Sequence, residues 1–179
     1  MTAAIVGAVS QRTETLDLGT FALTSGEGRA LEVAVPVDAL RYGGEGYAAA
    51  GDVEARLDVS RTTGEGYALR LRFDLELAGP CMRCLEPATS EVTIEAREID
   101  QPDGDAEELR SPYLDDQTID LRSWARDAIA LNVPPQILCS ESCRGLCPTC
   151  GINLNERPGH GHEPPPDPRW AKLSELELD

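Results

Sequence analysis

The sequence predicts an α+β fold: a mainly antiparallel sheet that can curl toward a barrel, one main helix, and a Cys-rich C-terminal segment stapled by metal. Three observations carry this expectation. Several stretches alternate apolar and polar residues at period two. One stretch repeats its apolar residues at helical spacing. Six cysteines fall into two clusters, and both histidines of the chain join the second. The expected division is 1–138, a sheet-plus-helix unit with an acidic loop over 98–120, and 139–179, a Cys/His-rich segment ending in a short helix.

Each element has its own warrant. In "LEVAVPV", Leu31, Val33, Val35 and Val37 share one face. In "DVEARLDV", Val53, Ala55, Leu57 and Val59 do the same. The longest stretch is "YALRLRFDLEL", where Tyr67, Leu69, Leu71, Phe73, Leu75 and Leu77 face one way and Ala68, Arg70, Arg72, Asp74 and Glu76 the other. Period-two patterning of this kind marks strands with one wet face, as in antiparallel sheets. The link "SRTTGEG" reads as a hairpin loop. "EVTIEARE" predicts another strand, with Val92, Ile94 and Ala96 inward. Between it and the long strand lies "AGPCMRCLEPATS", where Gly79, Pro80 and Pro87 turn the chain and set Cys81 and Cys84 at a hairpin tip.

Residues 100–118 read as a solvated acidic loop. A helix follows. Asp120 suits the N-cap, and Leu121, Trp124, Ala125, Ala128 and Ile129 form a stripe at i, i+3, i+4, i+7 and i+8. Pro134 and Pro135 stop it. Near the end, Asp167 can cap a short helix with Pro168 in its first turn, docked by Trp170, Leu173 and Leu176.

Composition narrows the function classes. The chain has 179 residues, 41% hydrophobic, which suits one domain or one domain with an appendage and gives enough apolar mass for a core. No apolar run spans a bilayer, and no basic residue precedes the first apolar patch, so a cytoplasmic protein is expected. The net charge is −16. Nine acids and one base lie between Glu98 and Asp120. A polyanion repels RNA and anionic membranes and attracts basic partners. At 4%, aromatic residues are too few for a base-stacking surface.

The cysteines carry the chemistry. In a reducing compartment thiols stay free unless a metal or a redox cycle uses them. A structural zinc takes four donors, and a C-x2-C turn brings two sulfurs to one ion. Cys81/Cys84 and Cys147/Cys150 have that spacing; Cys139 and Cys143 add two thiols, and His160 and His162 add two imidazoles. One partition groups Cys81, Cys84, Cys139 and Cys143, leaving Cys147, Cys150, His160 and His162 for a second ion. Another gathers Cys139, Cys143, Cys147 and Cys150 in one compact loop. A third joins the two C-x2-C units. The favoured arrangement uses Cys81 and Cys84 with two later thiols, because it ties the hairpin tip to the segment after the helix. Zinc, as one or two ions, is the expected cofactor; an iron–sulfur cluster also takes four thiolates.

Bland readings stand beside these. Free cysteines are often just small buried apolar residues. In "RPGHGHEPPPD" the histidines suit a solvated linker as well as a metal turn. Arg122 and Arg126 are better placed to pair with acids than with phosphate. Arg144 is the best single candidate for an anion contact. Trp124 and Trp170 read as core anchors. There is no Gly-rich phosphate loop, no H-E-x-x-H and no nucleophile constellation.

The motifs "GPCMRCLEP", "IDLRSWARDAIALNVPPQILC", "CRGLCPTCGINLN" and "DPRWAKLSEL" resemble the YceD-like family, the bacterial large ribosomal RNA subunit accumulation proteins, over roughly residues 30–176. Members often carry two cysteines shortly after "NLN"; here the sequence reads "HGH". The resemblance implies a non-enzymatic role in large-subunit biogenesis and 23S rRNA accumulation. It makes a pre-ribosomal particle or a basic ribosomal protein the expected partner. A thiol-based redox or metal-binding regulator is the alternative, and a metal-dependent nuclease acting on precursor RNA is a further rival.

Overall fold

A computed structural model describes residues 12–49, 51–102, 109–162 and 169. The expected terminal helix, with Trp170, Leu173 and Leu176, lies outside the described residues, as does the middle of the acidic stretch. Strands run in the order β1 (Thr15–Asp17), β2 (Gly28–Val35), β3 (Leu40–Tyr42), β4 (Glu45–Ala49), β5 (Val53–Arg61), β6 (Tyr67–Pro80), β7 (Pro87–Asp100), β8 (Leu114–Asp115) and β9 (Thr118–Asp120), followed by the helix α1 (Leu121–Asn132).

Strand β6 is the spine. Along one edge it pairs with β7 over its whole length, from Tyr67 opposite Asp100 to Pro80 opposite Pro87. Its other edge is shared. β5 takes the first half, with Arg56 opposite Arg72, and β4 takes the far end, with Ala48 opposite Ala78. β2 lies outside β5, and β3 outside β4. All these ladders are antiparallel.

The alternation in the sequence becomes one dry face and one wet face. Val53, Ala55, Leu57 and Val59 of β5 are buried, as are Tyr67, Leu69, Leu71, Phe73, Leu75 and Leu77 of β6, with Val92 and Ile94 of β7. Polar residues between them pair across the wet face: Arg70 with Glu95, Arg72 with Asp58, and Thr93 with Asp74. Strand β2 follows its pattern less fully. It ends at Val35 before Pro36, so Val37 lies beyond the strand, and Leu31 is only half-buried.

The sheet does not close into a barrel. Among the described residues β2 pairs as a strand with β5 alone, β3 with β4 alone and β7 with β6 alone, so the sheet ends at three outer strands that do not meet, with only the Arg12–Ala34 bridge beyond β2. The apolar face is covered instead by a second layer. Helix α1 lays Leu121, Trp124, Ala125, Ala128 and Ile129 into the shared core, with Leu18, Ile119 and Ile137. A sheet whose dry face is covered by a helix has its burial satisfied without closure. The helix starts where expected, with the Asp120 carboxylate accepting from Ser123 N–H at 2.9 Å.

The acidic stretch is more structured at its ends than a solvated loop. Asp100 is 2% exposed. Its Oδ1 accepts from Arg110 Nε at 3.1 Å and from the buried Ser111 N–H at 3.0 Å. Further on, β8 and β9 form a small sheet with β1, where Leu16 and Leu114 both pair with Ile119. Replacing Asp100 with Ala would leave the Ser111 N–H buried without an acceptor. The expected cost is about 2 kcal/mol, read as a fall of about 5 °C in thermal midpoint.

No helix among the described residues is long and apolar enough to cross a membrane. Several arginines find acids or carbonyls, while Arg29 and Arg61 lie over the Phe21 and Tyr67 rings. Arg122 grips Asp38 through two contacts, at 2.9 and 2.6 Å, and Arg126 pairs with Asp127. Asp38 is held below its ordinary carboxylate range chiefly by those Arg122 hydrogen bonds. Arg144 is not left aimed at an anion, because its guanidinium donates to the Pro158 carbonyl at 2.9 Å.

Candidate metal centre

The β6–β7 hairpin tip is the C-x2-C turn, Cys81 to Cys84. Helix α1 runs back across the sheet, and Pro134–Pro135 ends it before Cys139. The next segment then meets the tip through backbone contacts. Met82 N–H donates to the Ile137 carbonyl at 2.9 Å, and Leu146 N–H to the Arg83 carbonyl at 3.1 Å. Arg83 also donates from its guanidinium to the Cys143 carbonyl at 2.9 Å. Gly145 has φ +75°, and a Cβ there would stand 3.0 Å from the Arg83 carbonyl oxygen. Glycine at this position is what lets the two backbones approach.

These contacts bring four thiols together: Cys81, Cys84, Cys139 and Cys143. The sulfurs of Cys81 and Cys143 are 3.8 Å apart, and those of Cys84 and Cys139 are 3.5 Å apart. A tetrahedron with bonds of about 2.3 Å sets its sulfurs about 3.8 Å apart. Cys81, Cys84 and Cys143 are buried against the hydrophobic core, and Cys139 is exposed. All six cysteines are free thiols.

A second group forms apart from the first: Cys147, Cys150, His160 and His162. Cys150 Sγ lies 3.1 Å from the Nε2 of each histidine, and the two Nε2 atoms are 2.9 Å apart. These separations are a few tenths of an ångström tighter than a zinc tetrahedron would set. A neutral ring nitrogen is either a donor or an acceptor. Two of the three contacts can therefore be full hydrogen bonds, whereas a common cation would account for all three. This grouping follows the first of the three partitions open from sequence. Both clusters can hold a metal ion.

The two C-x2-C turns share a design. At the first, the N–H groups of Arg83 and Cys84 point to the Cys81 sulfur; at the second, those of Thr149 and Cys150 point to Cys147. Burial alone would raise the Cys81 thiol, yet N–H donors from Cys139, Cys84 and Arg83 hold it down at about 6. The Thr149 N–H is the leading cause that brings Cys147 to about 6. Cys143 is lowered first by the Asn155 amide, which donates to its sulfur at 3.3 Å. Cys84 behaves differently. The Glu86 N–H favours its thiolate, but burial and the sulfurs of Cys81, Cys139 and Cys143 push it up to about 12. The backbone thus prepares thiolates that the cluster cannot all carry without a positive charge among them. Such a competition among thiolates is what a cation placed among them would relieve.

The turns close alike too. Leu85 N–H donates to the Cys81 carbonyl at 2.9 Å, and Gly151 N–H to the Cys147 carbonyl at 2.8 Å. Both residues at this fifth position are left-handed, Gly151 at φ +73° and Leu85 at φ +65°. For leucine that conformation costs about 1–2 kcal/mol. Replacing Leu85 with Gly relieves this and returns about 0.5–1 kcal/mol of that gain as unfolded-chain entropy. The expected thermal midpoint is equal to or slightly above wild type, with metal content unchanged; a clear fall would contradict the strain assignment. Sequence spacing located both turns, and "CMRCL" set beside "CPTCG" shows leucine where the second turn has glycine, but not that Leu85 shares the left-handed conformation of Gly151.

The family model described as large ribosomal RNA subunit accumulation protein YceD matches residues 69–177. An uncharacterized protein of Mycobacterium tuberculosis is 41% identical over 103 residues, 55% of this chain and 49% of that protein. One from Mycobacterium leprae is 34% identical over 101 residues, 54% of this chain and 46% of that protein. A Zea mays protein named as a chloroplastic homolog of the large ribosomal RNA subunit accumulation protein is 45% identical over 40 residues, 22% of this chain and 14% of that protein. The chain spans about half the length of the mycobacterial relatives it matches. No solved structure matches. The matched region takes in both candidate metal clusters, the hairpin that carries the first of them and the helix between, and the chain belongs to the YceD family of large ribosomal RNA subunit accumulation proteins.

Proposed function

We propose that this chain is a non-enzymatic factor in large ribosomal subunit biogenesis that supports 23S rRNA accumulation. The observation that carries the reading is the family match across residues 69–177. Two zinc ions complete the reading. One is held by Cys81, Cys84, Cys139 and Cys143, the other by Cys147, Cys150, His160 and His162. The donor sets fit zinc, whose structural sites are four-coordinate and rich in thiolate and imidazole. Each set already supplies four protein donors. No position is left for a reactive water, so the ions staple the fold and do no chemistry. In this reading residues 1–138 form the sheet-and-helix unit, and residues 139–179 are fastened to it through the first ion.

The partner is a basic ribosomal protein or a pre-ribosomal particle, met in the cytoplasm. Net charge supports this. At −16 the chain repels bare RNA and attracts cations, and the acids from Glu98 to Asp120 concentrate that charge. The test is depletion of the protein in its own host. The 23S rRNA level is expected to fall relative to 16S, and the tagged chain is expected to co-sediment with large-subunit precursors in a salt-sensitive way. Unchanged 23S rRNA, with no co-sedimentation at low salt, would overturn the reading.

A further inference from the structure

An apolar groove opens beside the four-sulfur cluster. Ala48, Ala78, Gly79, Ala88, Leu85 and Leu138 line it, and its volume is about 620 Å³. Among the described residues that line it, none is charged. That size suits bulky apolar side chains from a partner.

The hairpin tip next to it is unusual in a second way. Leu85 is 64% exposed and Met82 59% exposed. Leu85 therefore occupies a left-handed position that the matching turn gives to Gly151, and buries little of its side chain within this chain. A strained, exposed leucine that contributes little to its own fold points to contact with something else. Methionine beside it is an adaptable surface for binding varied apolar side chains.

Charge selects the partner. Exposed Glu45, Glu86 and Glu141 flank the groove in sequence, next to Gly46, Leu85 and close to Cys139 respectively. Two bases stand nearby, and both aim at backbone carbonyls: Arg41 at Gly44, and Arg83 at Glu141 and Cys143. Among the described residues the lining offers a nucleic acid no cation, and the flanking glutamates would repel its phosphates. A second copy would bring another net charge of −16 against the first.

We propose that this groove, with Leu85 and Met82 at the knuckle, docks a basic polypeptide segment that carries a bulky apolar side chain. The proposal rests on the reading of a basic protein partner and locates where that partner is gripped. The apolar residue fills the groove, and lysines or arginines beside it meet the flanking glutamates. Leucine rather than glycine closes the first turn because its side chain supplies part of the contact.

The test uses the zinc-loaded full chain on an array of short overlapping peptides tiling the large-subunit ribosomal proteins, near physiological ionic strength. Wild type is expected to bind tiles that combine Lys or Arg with a bulky apolar residue. Leu85→Gly, which keeps its fold, is expected to bind them about ten-fold more weakly, and the groove-filling Ala78→Trp likewise. Several results would overturn the proposal: no tile bound, purely basic tiles bound equally well, or both variants binding as wild type does. A Leu85-dependent dimer in sedimentation would assign the groove to a second copy instead. Stronger tile binding after removal of residues 170–179 would assign it to the chain's own terminus. Co-sedimentation with large-subunit precursors is scored in parallel. If it persists while the array result fails, only the groove assignment falls; if wild type never co-sediments, the biogenesis reading itself falls.

Discussion

Cys81→Ser is expected to cost the protein one of two zinc equivalents and about 10 °C of thermal midpoint. Cys81 is fully buried where β6 ends, and its sulfur faces Cys143 at 3.8 Å. The first ion would join residues far apart in the chain; Cys84 and Cys139 are separated by 55 positions. A cross-link closing a loop of that length removes about 4 kcal/mol of unfolded-chain entropy in the chain-entropy picture. Serine is nearly the same size, so packing loss is small and the effect isolates the ligand. For a chain of this length, about 4 kcal/mol corresponds to about 10 °C. The loss should also be local in character. Residues 139–162 should become sensitive to protease while amide protection in β5, β6 and β7 persists. Calorimetry with limited proteolysis measures both. A midpoint within 2 °C or so of wild type, outside what a 4 kcal/mol loss allows, would contradict the cross-link.

The second large effect is expected at Trp124. This side chain is 2% exposed and sits on the helix face that covers the sheet, with its ring 6.2 Å from that of Tyr113. Trp124→Ala removes the largest fully buried side chain among the described residues and leaves a cavity beneath α1. The expected loss is about 4 kcal/mol in urea unfolding. Leu131, on the same helix but 87% exposed, provides the control. Leu131→Ala should change stability by less than about 0.5 kcal/mol. Equal effects at the two positions would mean that the helix does not pack as described.

The contrast between those two residues shows why part of this fold was legible from sequence. A helix stripe or a period-two strand encodes its own buried face, so Trp124 and the six inward residues of β6 could be read directly. The short strands could not. β3 and β4 surround "YGGEGY", where Gly43 and Gly44 both take positive φ in a two-residue turn. That Gly-Gly pair was a hairpin signal, but the flanking residues alternate weakly. β8 and β9 are two and three residues long, and only their pairing with β1 defines them. Asp100 looked like one more acid in a solvated run. Its burial depends on Arg110 and Ser111 returning to it, which is a tertiary event.

The candidate metal clusters divide in the same manner. Spacing pointed to eight candidate donors but could not partition them, because both C-x2-C turns offer the same two-thiol spacing. The chain path decides which sulfurs meet. A 12-residue helix and the two prolines after it return Cys139 and Cys143 to the hairpin tip, and Cys147 and Cys150 are left beside the histidines. Barrel closure was likewise undecidable from strand patterns, since it depends on whether the outer edges of β2 and β7 meet.

The most direct test of the central claim is elemental analysis of protein isolated natively under reducing conditions. Two zinc ions per chain are predicted, falling to one in Cys84→Ser, to one in Cys150→Ser and to none in the double variant. Metal-free protein whose residues 139–162 remain ordered would contradict the account, as would the loss of both ions from either single variant.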